Sequence, residues 1–264
     1  MTASVPWVPD LGLDLPAGTR LVSVAERPDL RDPLGDHNVG VWPAFMLEGD
    51  LANRHWHHLF EDFPEFQLAL LDAAGTILAG QNSAPLPWDG TDAGLPAGWD
   101  DQFERSVAML ESGDSASALG ALQIVVEPER RGQGLADLML SAMRANAVAH
   151  GLHAVIACVR PTMKPRYPLT PIDRYATWTR KDGLPFDPWI RLHVRAGGRI
   201  VRPSPRSMTI TGSLADWERW TGMTFPETGD YVVEGGCEPV HIDAEAGTGT
   251  YHDSNVWVLH RLEG

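Results

Sequence analysis

Apolar residues recur along this chain with two different periods, and the switches between them mark out its elements. Residues 19–25 have the pattern of a first strand. A helical region follows, interrupted by Pro28, Pro33 and Pro43. Asp50 is expected to cap a helix over 51–62, on which Ala52, Trp56, Leu59, Phe60 and Phe63 share one face. Residues 66–72 and 76–81 read as two strands joined by the turn Asp72-Ala-Ala-Gly75. Residues 82–99, rich in Pro, Gly, Trp and Asp, read as a long loop. Phe103, Val107 and Leu110 predict a helix over 100–111.

The apolar run Leu119 to Val126 reads as a strand. After it, Leu135, Leu138, Met139, Ala142, Met143 and Ala149 stripe a helix that runs to His150, with Gly151 as its stop. Residues 153–159 form a buried strand in this reading. Asp187 and Pro188 start another helix, ended by Gly197 and Gly198. Strands then fall at 199–202 and 207–211, a short helix at 214–221, and two or three strands around 231–261 with a turn at Gly247–Gly249. Those last strands either complete the chain's own sheet or pair with a second subunit in a homodimer.

Composition narrows the picture. The chain has 264 residues, 43% of them hydrophobic, enough for one large domain or one domain with an extension. The formal net charge of −14, with no basic stripe, argues against broad nucleic-acid binding; an acidic surface either attracts a cationic substrate or simply serves solubility. Two cysteines, Cys158 and Cys237, fit a reducing compartment rather than a disulfide framework. No apolar run is long enough to span a bilayer, and no leader pattern opens the chain, so no membrane partner and a cytoplasmic location are expected.

Residues 126–136 read Val-Glu-Pro-Glu-Arg-Arg-Gly-Gln-Gly-Leu-Ala, where a strand gives way to glycine-rich backbone and then a helix. Such a junction leaves free N–H groups at the positive end of a helix, which suits phosphate. The order Arg131-x-x-Gly134-x-Ala136 resembles the acyl-CoA pyrophosphate loop of the GCN5-related N-acetyltransferase (GNAT) superfamily. A second feature stands at the matching place: Leu192-His193-Val194-Arg195-Ala196-Gly197-Gly198, where the family often shows Leu-Tyr-x-x-x-Gly-Phe. The resemblance spans roughly residues 19–211 and is dense over 119–160 and 187–202.

The resemblance implies an α/β (α+β) fold with a mixed central sheet flanked by helices. It divides the chain into a GNAT-like domain over 1–211, with an insertion at 161–186, and a β-rich C-terminal extension over 212–264 packed on it. It also implies that acetyl-CoA or another acyl-CoA is held by Val126, Arg130, Arg131, Gly132, Gln133, Gly134, Leu135 and Ala136. His193 takes the place of the family's tyrosine acid toward the leaving thiolate, with Tyr175 in the insertion as its rival. Glu127, at the end of the central strand, is the candidate base. Arg160-Pro161 stands where many members carry an asparagine.

Other constellations are read more plainly. His55, His58 and Asp62 lie along one helix flank, as an ion pair beside the core rather than a metal site. His241 with Asp243, and His252 with Asp253, read as surface pairs, and Cys158 as packing. Trp88, Trp99 and Trp178 are either hydrophobic anchors or the lining of an acceptor pocket. The expected function is acyl transfer from acyl-CoA to an amine of a small molecule or peptide by direct attack. The alternatives are a longer or carrier-protein-bound acyl thioester that is transferred, hydrolysed or decarboxylated, or a non-catalytic acyl-CoA-binding module.

Overall fold

Nine strands and eight α-helices are present among residues 11–36 and 41–262, which the computed structural model describes. In chain order they are β1 (Arg20–Ser23), α1 (Arg31–Asp36), α2 (Asp50–His55), α3 (His58–Glu61), β2 (Leu68–Leu71) and β3 (Ile77–Leu86). Then come α4 (Trp99–Ser112), β4 (Ala118–Val126), α5 (Leu135–Ala149), β5 (Ala154–Val159), α6 (Ile172–Tyr175) and α7 (Pro188–Arg195). The chain closes with β6 (Arg199–Ser213), α8 (Leu214–Thr221), β7 (Gly229–Tyr231), β8 (Val240–Asp243) and β9 (Thr248–Arg261).

One mixed sheet carries all nine strands, in the order β1-β2-β3-β4-β5-β9-β8-β7, with β6 along the other edge of β9. The pair β4–β5 is parallel and is joined through α5; the remaining pairs are antiparallel. Of the two pairings open to the tail strands, the first is realised. Residues 256–261 of β9 pair with β5, and nearly the whole of β9 pairs with β6. The sheet therefore runs through the boundary expected at 211–212, because β9 returns to its interior.

Side chains alternate across the sheet and separate two cores. On the first face α4 and α8 pack with Phe45, Leu59, Phe103, Trp217, Tyr251 and Trp257. On the second face α5 covers Leu68, Leu70 and Leu78, while α7 covers Ala157, Val256 and Val258. A ligand that passes between strands would thus meet different helices on its two sides.

Three local expectations change. The helix over 51–62 is two pieces, α2 and α3, broken at Trp56 and His57; Asp50 is its first residue and makes no side-chain cap. Residues 82–86 are not loop but the second half of β3, paired with 118–123 of β4. The two strands at 199–202 and 207–211 are one strand, β6, with an irregularity between Ser204 and Met208. The two strand misses have the same origin: cross-strand pairing overrides local turn-forming composition.

Asp187 caps α7 as expected, and does more. Its carboxylate accepts from the N–H groups of Trp189 (2.9 Å), Ile190 (3.2 Å) and Met163 (2.8 Å) and from the Tyr175 hydroxyl (2.9 Å). It thereby ties the 161–186 segment to α7 in a site where Asp187 is 2% exposed. Asp187→Ala orphans several buried donors at once and is expected to cost about 3 kcal/mol of unfolding free energy, against about 1 kcal/mol for Tyr175→Phe. Thermal melts of the two variants check this; equal losses would show that the cap is not shared.

Candidate active site

β4 and β5 pair only at Leu119–Val155, Gly120–Ile156 and Ala121–Ala157. On its other edge β4 shifts register against β3 between Asn82 and Ser83, and Leu122 is the residue passed over. A bulge of this kind bends a strand and re-aims its groups. From Leu122 to Val126 the edge of β4 that faced β5 has no strand beside it. A wedge-shaped gap opens there, beginning four residues earlier than Val126, where the free backbone was expected.

The glycine loop lies at the end of this gap. Pro128–Arg130 forms a 3₁₀ turn, then Gly132 (φ +77°) and Gly134 (φ +80°) reverse the backbone into α5. These φ values suit glycine and strain other residues. Gly134 occupies the N-cap without a side-chain cap, so α5 offers the N–H groups of its first turn unmasked by a side chain. Residues 128–134 are exposed, with Arg130 and Arg131 among them, and Leu135 is buried as the anchor. Val126 packs its side chain against the α5 core. Backbone donors, a helix dipole and two guanidinium groups at one exposed turn fit a pyrophosphate.

The expected acid–base residues are placed as follows. Glu127 is half-buried beside the loop, its N–H bonded to Leu78 O at 3.1 Å. Tyr175 is 1% exposed and its hydroxyl donates to Asp187; burial, then the Asp187 charge, push its pKa well up. That hydroxyl is engaged in the α7 cap. His193 is 2% exposed on α7, with Nδ1 at 2.9 Å from His260 Nε2. Burial, then the His260 charge, push His193 down to about 3, and His260 falls to about 4 chiefly through burial. At neutral pH neither imidazole is charged.

On the first face the gap is lined by a chain of polar side chains that periodicity did not single out. Gln67 is the acceptor for Asn82 (2.9 Å), Asn82 for Gln123 (2.6 Å), and Gln123 for the indole N–H of Trp42 (3.3 Å). The Trp42 ring lies under the Arg160 guanidinium, 5.6 Å from its centroid. Arg160 Nε reaches both oxygens of Asp253 (3.1 and 3.0 Å), and Arg160 also donates to Gly235 O (2.7 Å). Burial works against the Arg160 charge, and Asp253 more than offsets it, so its pKa is raised. Asp253 further accepts from the Tyr251 hydroxyl, which in turn accepts from Cys237 N. Gln123, on β4, and Arg160, just past β5, face each other across the gap with Trp42 between them.

The pairs read along the sequence are corrected here. Asp253 is fully buried with Arg160, while His252 points to the opposite face and meets Thr209 Oγ1 at 3.1 Å. His241 pairs with Asp230 (2.7 Å), not with Asp243. His58 does pair with Asp62 (2.7 Å), while His55 turns its ring to Phe103. Among the described residues no group of three His, Cys, Asp or Glu side chains is placed to hold a metal ion. Cys158 is buried against Ser207 Oγ, with its thiol pushed up to about 12 by desolvation. Trp88 and Trp178 are held by local contacts, Trp178 in a ring cluster with Tyr167, Tyr175 and Phe186. Trp99 alone of the three loop-region tryptophans reaches the gap, donating to Leu122 O at 2.9 Å. A lone Gln in an apolar strand and an Arg closing the next one were the available signals for this site.

Among the described residues no helix is long and apolar enough to cross a membrane. No protein-family model matches the chain. The arginine N-acetyltransferase avaD of Aspergillus versicolor is 31% identical over 283 aligned residues, covering 96% of this chain and 97% of its own length. Two solved structures share the fold. The loading GNATL domain of CurA from Lyngbya majuscula superposes with a TM-score of 0.58 at 18% identity, over 92% of this chain and 97% of that one. The GphF GNAT-like decarboxylase, solved with isobutyryl-CoA, gives 0.56 at 19% identity, over 93% and 99%. With the parted β4–β5 pair, the glycine loop opening α5 and a relative alike over nearly its whole length, this chain belongs to the GCN5-related N-acetyltransferase superfamily and is an acyl-CoA-dependent N-acyltransferase.

Proposed function

We propose that this chain transfers an acetyl group from acetyl-CoA to the amine of a small cationic acceptor of the arginine type. The observation that carries this reading is the gap between β4 and β5, which has the phosphate-binding loop at its end and a polar, partly acidic chamber on the first face. The arginine acceptor of avaD and the net charge of −14 support a cationic acceptor. The donor lies along the second face, its pyrophosphate on the N–H groups of Gly132, Gln133, Gly134, Leu135 and Ala136, with Arg130 and Arg131 adding charge. Its thioester enters the gap, where the edge groups of β4 beyond Ala121 orient the carbonyl. The acceptor nitrogen attacks that carbonyl from the first face, the carbon–sulfur bond breaks, and CoA leaves as its thiolate.

In this arrangement the candidate residues divide their work. The Tyr175 hydroxyl holds Asp187 and so positions α7. The His193–His260 pair stays neutral and braces α7 against β9. Glu127 stands at the end of β4 beside the loop.

Thiol release from acetyl-CoA in the presence of L-arginine, with mass analysis of the product, tests the reading. The expected outcome is monoacetylated arginine; thiol release without an acylated amine would overturn it. Gly134→Asp sets a carboxylate and a strained backbone at the phosphate loop, and is expected to weaken acetyl-CoA binding by about tenfold or more, roughly the 1.4 kcal/mol of one lost charge-assisted bond. Calorimetric titration checks this, with a thermal melt to show that the fold persists.

The histidine pair sets a pH dependence of stability. Unfolding returns both imidazoles to roughly 6.5, so below that value the unfolded chain binds protons that the folded chain refuses until about pH 3. Stability therefore falls as pH drops through this window. His193→Gln is expected to show a smaller fall in melting temperature between about pH 7 and 4.5 than the parent, with an unchanged shape of its activity profile above pH 6. An altered limb near neutrality would show that His193 exchanges a proton in turnover.

A further inference from the structure

Acyl transfer to an ammonium group needs one more act: the acceptor must lose a proton before its nitrogen can attack. Resting on the reading above, we propose that Asp100, in the first turn of α4, receives the acceptor's ammonium group and takes its proton.

The placement of α4 carries the proposal. Its first turn is fastened to the sheet at the point where β4 leaves β5. The Trp99 indole donates to Leu122 O (2.9 Å), and the Gln102 amide donates to Ala121 O (3.0 Å). The backbone N–H of Trp99 donates to Ser207 Oγ (3.0 Å), which itself lies against Cys158 of β5. No Cβ fits at Gly98 or Gly120, because Ser207 backbone and the Gln102 side chain already occupy those positions at 2.5 and 2.8 Å. The helix start is therefore pressed onto the first face above the gap, on the side from which the acceptor approaches.

Asp100 differs from its neighbours Asp101 and Asp253 in having spare capacity. One oxygen accepts from Thr209 N at 2.9 Å; among the described residues the other takes no hydrogen bond, and no Lys, Arg or His forms an ion pair with it. Asp101, the next residue, is held by Arg105 and by Ala97 N. Asp253 is held by Arg160 and Tyr251. A cation reaching the first face thus finds in Asp100 an ion-pair partner that none of the described residues has taken.

The surrounding charges suit a base. Glu104 on the same helix and Asp253 on β9 are negative; β6 contributes the Thr209 N–H. Arg160 is occupied by Asp253, and on α2 the His55 imidazole interacts with Glu104 and is depressed by burial. Desolvation first, opposed by the Thr209 N–H and reinforced by Asp253 and Glu104, brings Asp100 up to about 6. Such a group is mostly ionised at neutral pH yet accepts a proton readily. In the step, an N–H bond of the ammonium breaks and its proton passes to the free Asp100 oxygen. The freed lone pair forms the N–C bond, and the C–S electron pair leaves with sulfur. The newly bonded nitrogen gives its second proton, through water, to the leaving thiolate and Asp100 returns its own to solvent, so the balance is ammonium plus thioester to amide, thiol and one proton.

The test compares the parent with Asp100→Asn and Asp100→Glu, using acetyl-CoA and L-arginine. Asparagine still accepts from Thr209 N, so the variant should fold, with a melting temperature at pH 8 no lower than that of the parent. The expected result is a fall of about 100-fold in kcat/KM for arginine, unchanged acetyl-CoA affinity, loss of the limb near pH 6 in the activity profile, and partial recovery in Asp100→Glu. A variant within threefold of an active parent, with the limb retained, overturns the assignment of Asp100 alone. A parent that binds acetyl-CoA but does not acylate arginine overturns the acceptor reading and this assignment with it.

Discussion

The parting of two parallel strands is the constraint on which the rest of this structure depends. β4 and β5 share three residue pairs and then separate. The bulge at Leu122 bends β4, while α5, crossing between the strands, starts at the end that has opened. The gap and the loop therefore come from one piece of geometry: the strand that leaves its neighbour leads directly into the glycine turn and the start of α5. The two faces of the sheet are closed by different helices, so the gap has different surroundings on its two sides.

Keeping a gap open costs the backbone pairing that would have filled it, and the surrounding side chains supply the stiffness. Trp99 and Gln102 take the carbonyls of Leu122 and Ala121, groups that would otherwise be left wanting partners. On the far side Arg160 and Asp253 form an ion pair in which Asp253 is wholly buried. Such a pair is weak evidence for stability, because desolvation opposes it, yet losing either partner strands the other charge. Its effect here is to fix position: Arg160 holds Gly235 and lies over Trp42, so it joins the end of β5 to the segment before β8. The 161–186 insertion is stitched to the same region by Lys164, fully buried against Glu238 and Cys237 O.

The two acid–base expectations at His193 and Tyr175 show how burial changes a residue's meaning. His193 lies on α7, where the family pattern pointed, and Tyr175 lies on α6 within the insertion. Burial makes each a neutral, hydrogen-bonded group engaged with another residue of the fold. Asp100 is the converse case. Partial burial raises its affinity for a proton, and among the described residues one of its oxygens has no hydrogen-bond partner.

What the amino-acid order determined by itself was local. Apolar runs and helical stripes placed β4, α4, α5, β5, α7 and α8 within a residue or two, and the glycine spacing after Val126 marked the turn into α5. These features depend on neighbours within a few turns of chain, so they can be read along it. The site opposite the loop could not be. Trp42, Gln123, Arg160 and Asp253 come from four separated segments, and strand pairing alone brings them together. Asp253 next to His252 suggested a surface pair, but alternation sends adjacent strand residues to opposite faces, and the partner of Asp253 lies 93 residues away. The same holds for the tail: only the register of β9 between β5 and β6 decided that it belongs inside the sheet. Hydrogen bonding between distant strands carries no local signature, and that is why tertiary structure was needed to assemble the chamber where the acceptor is proposed to bind.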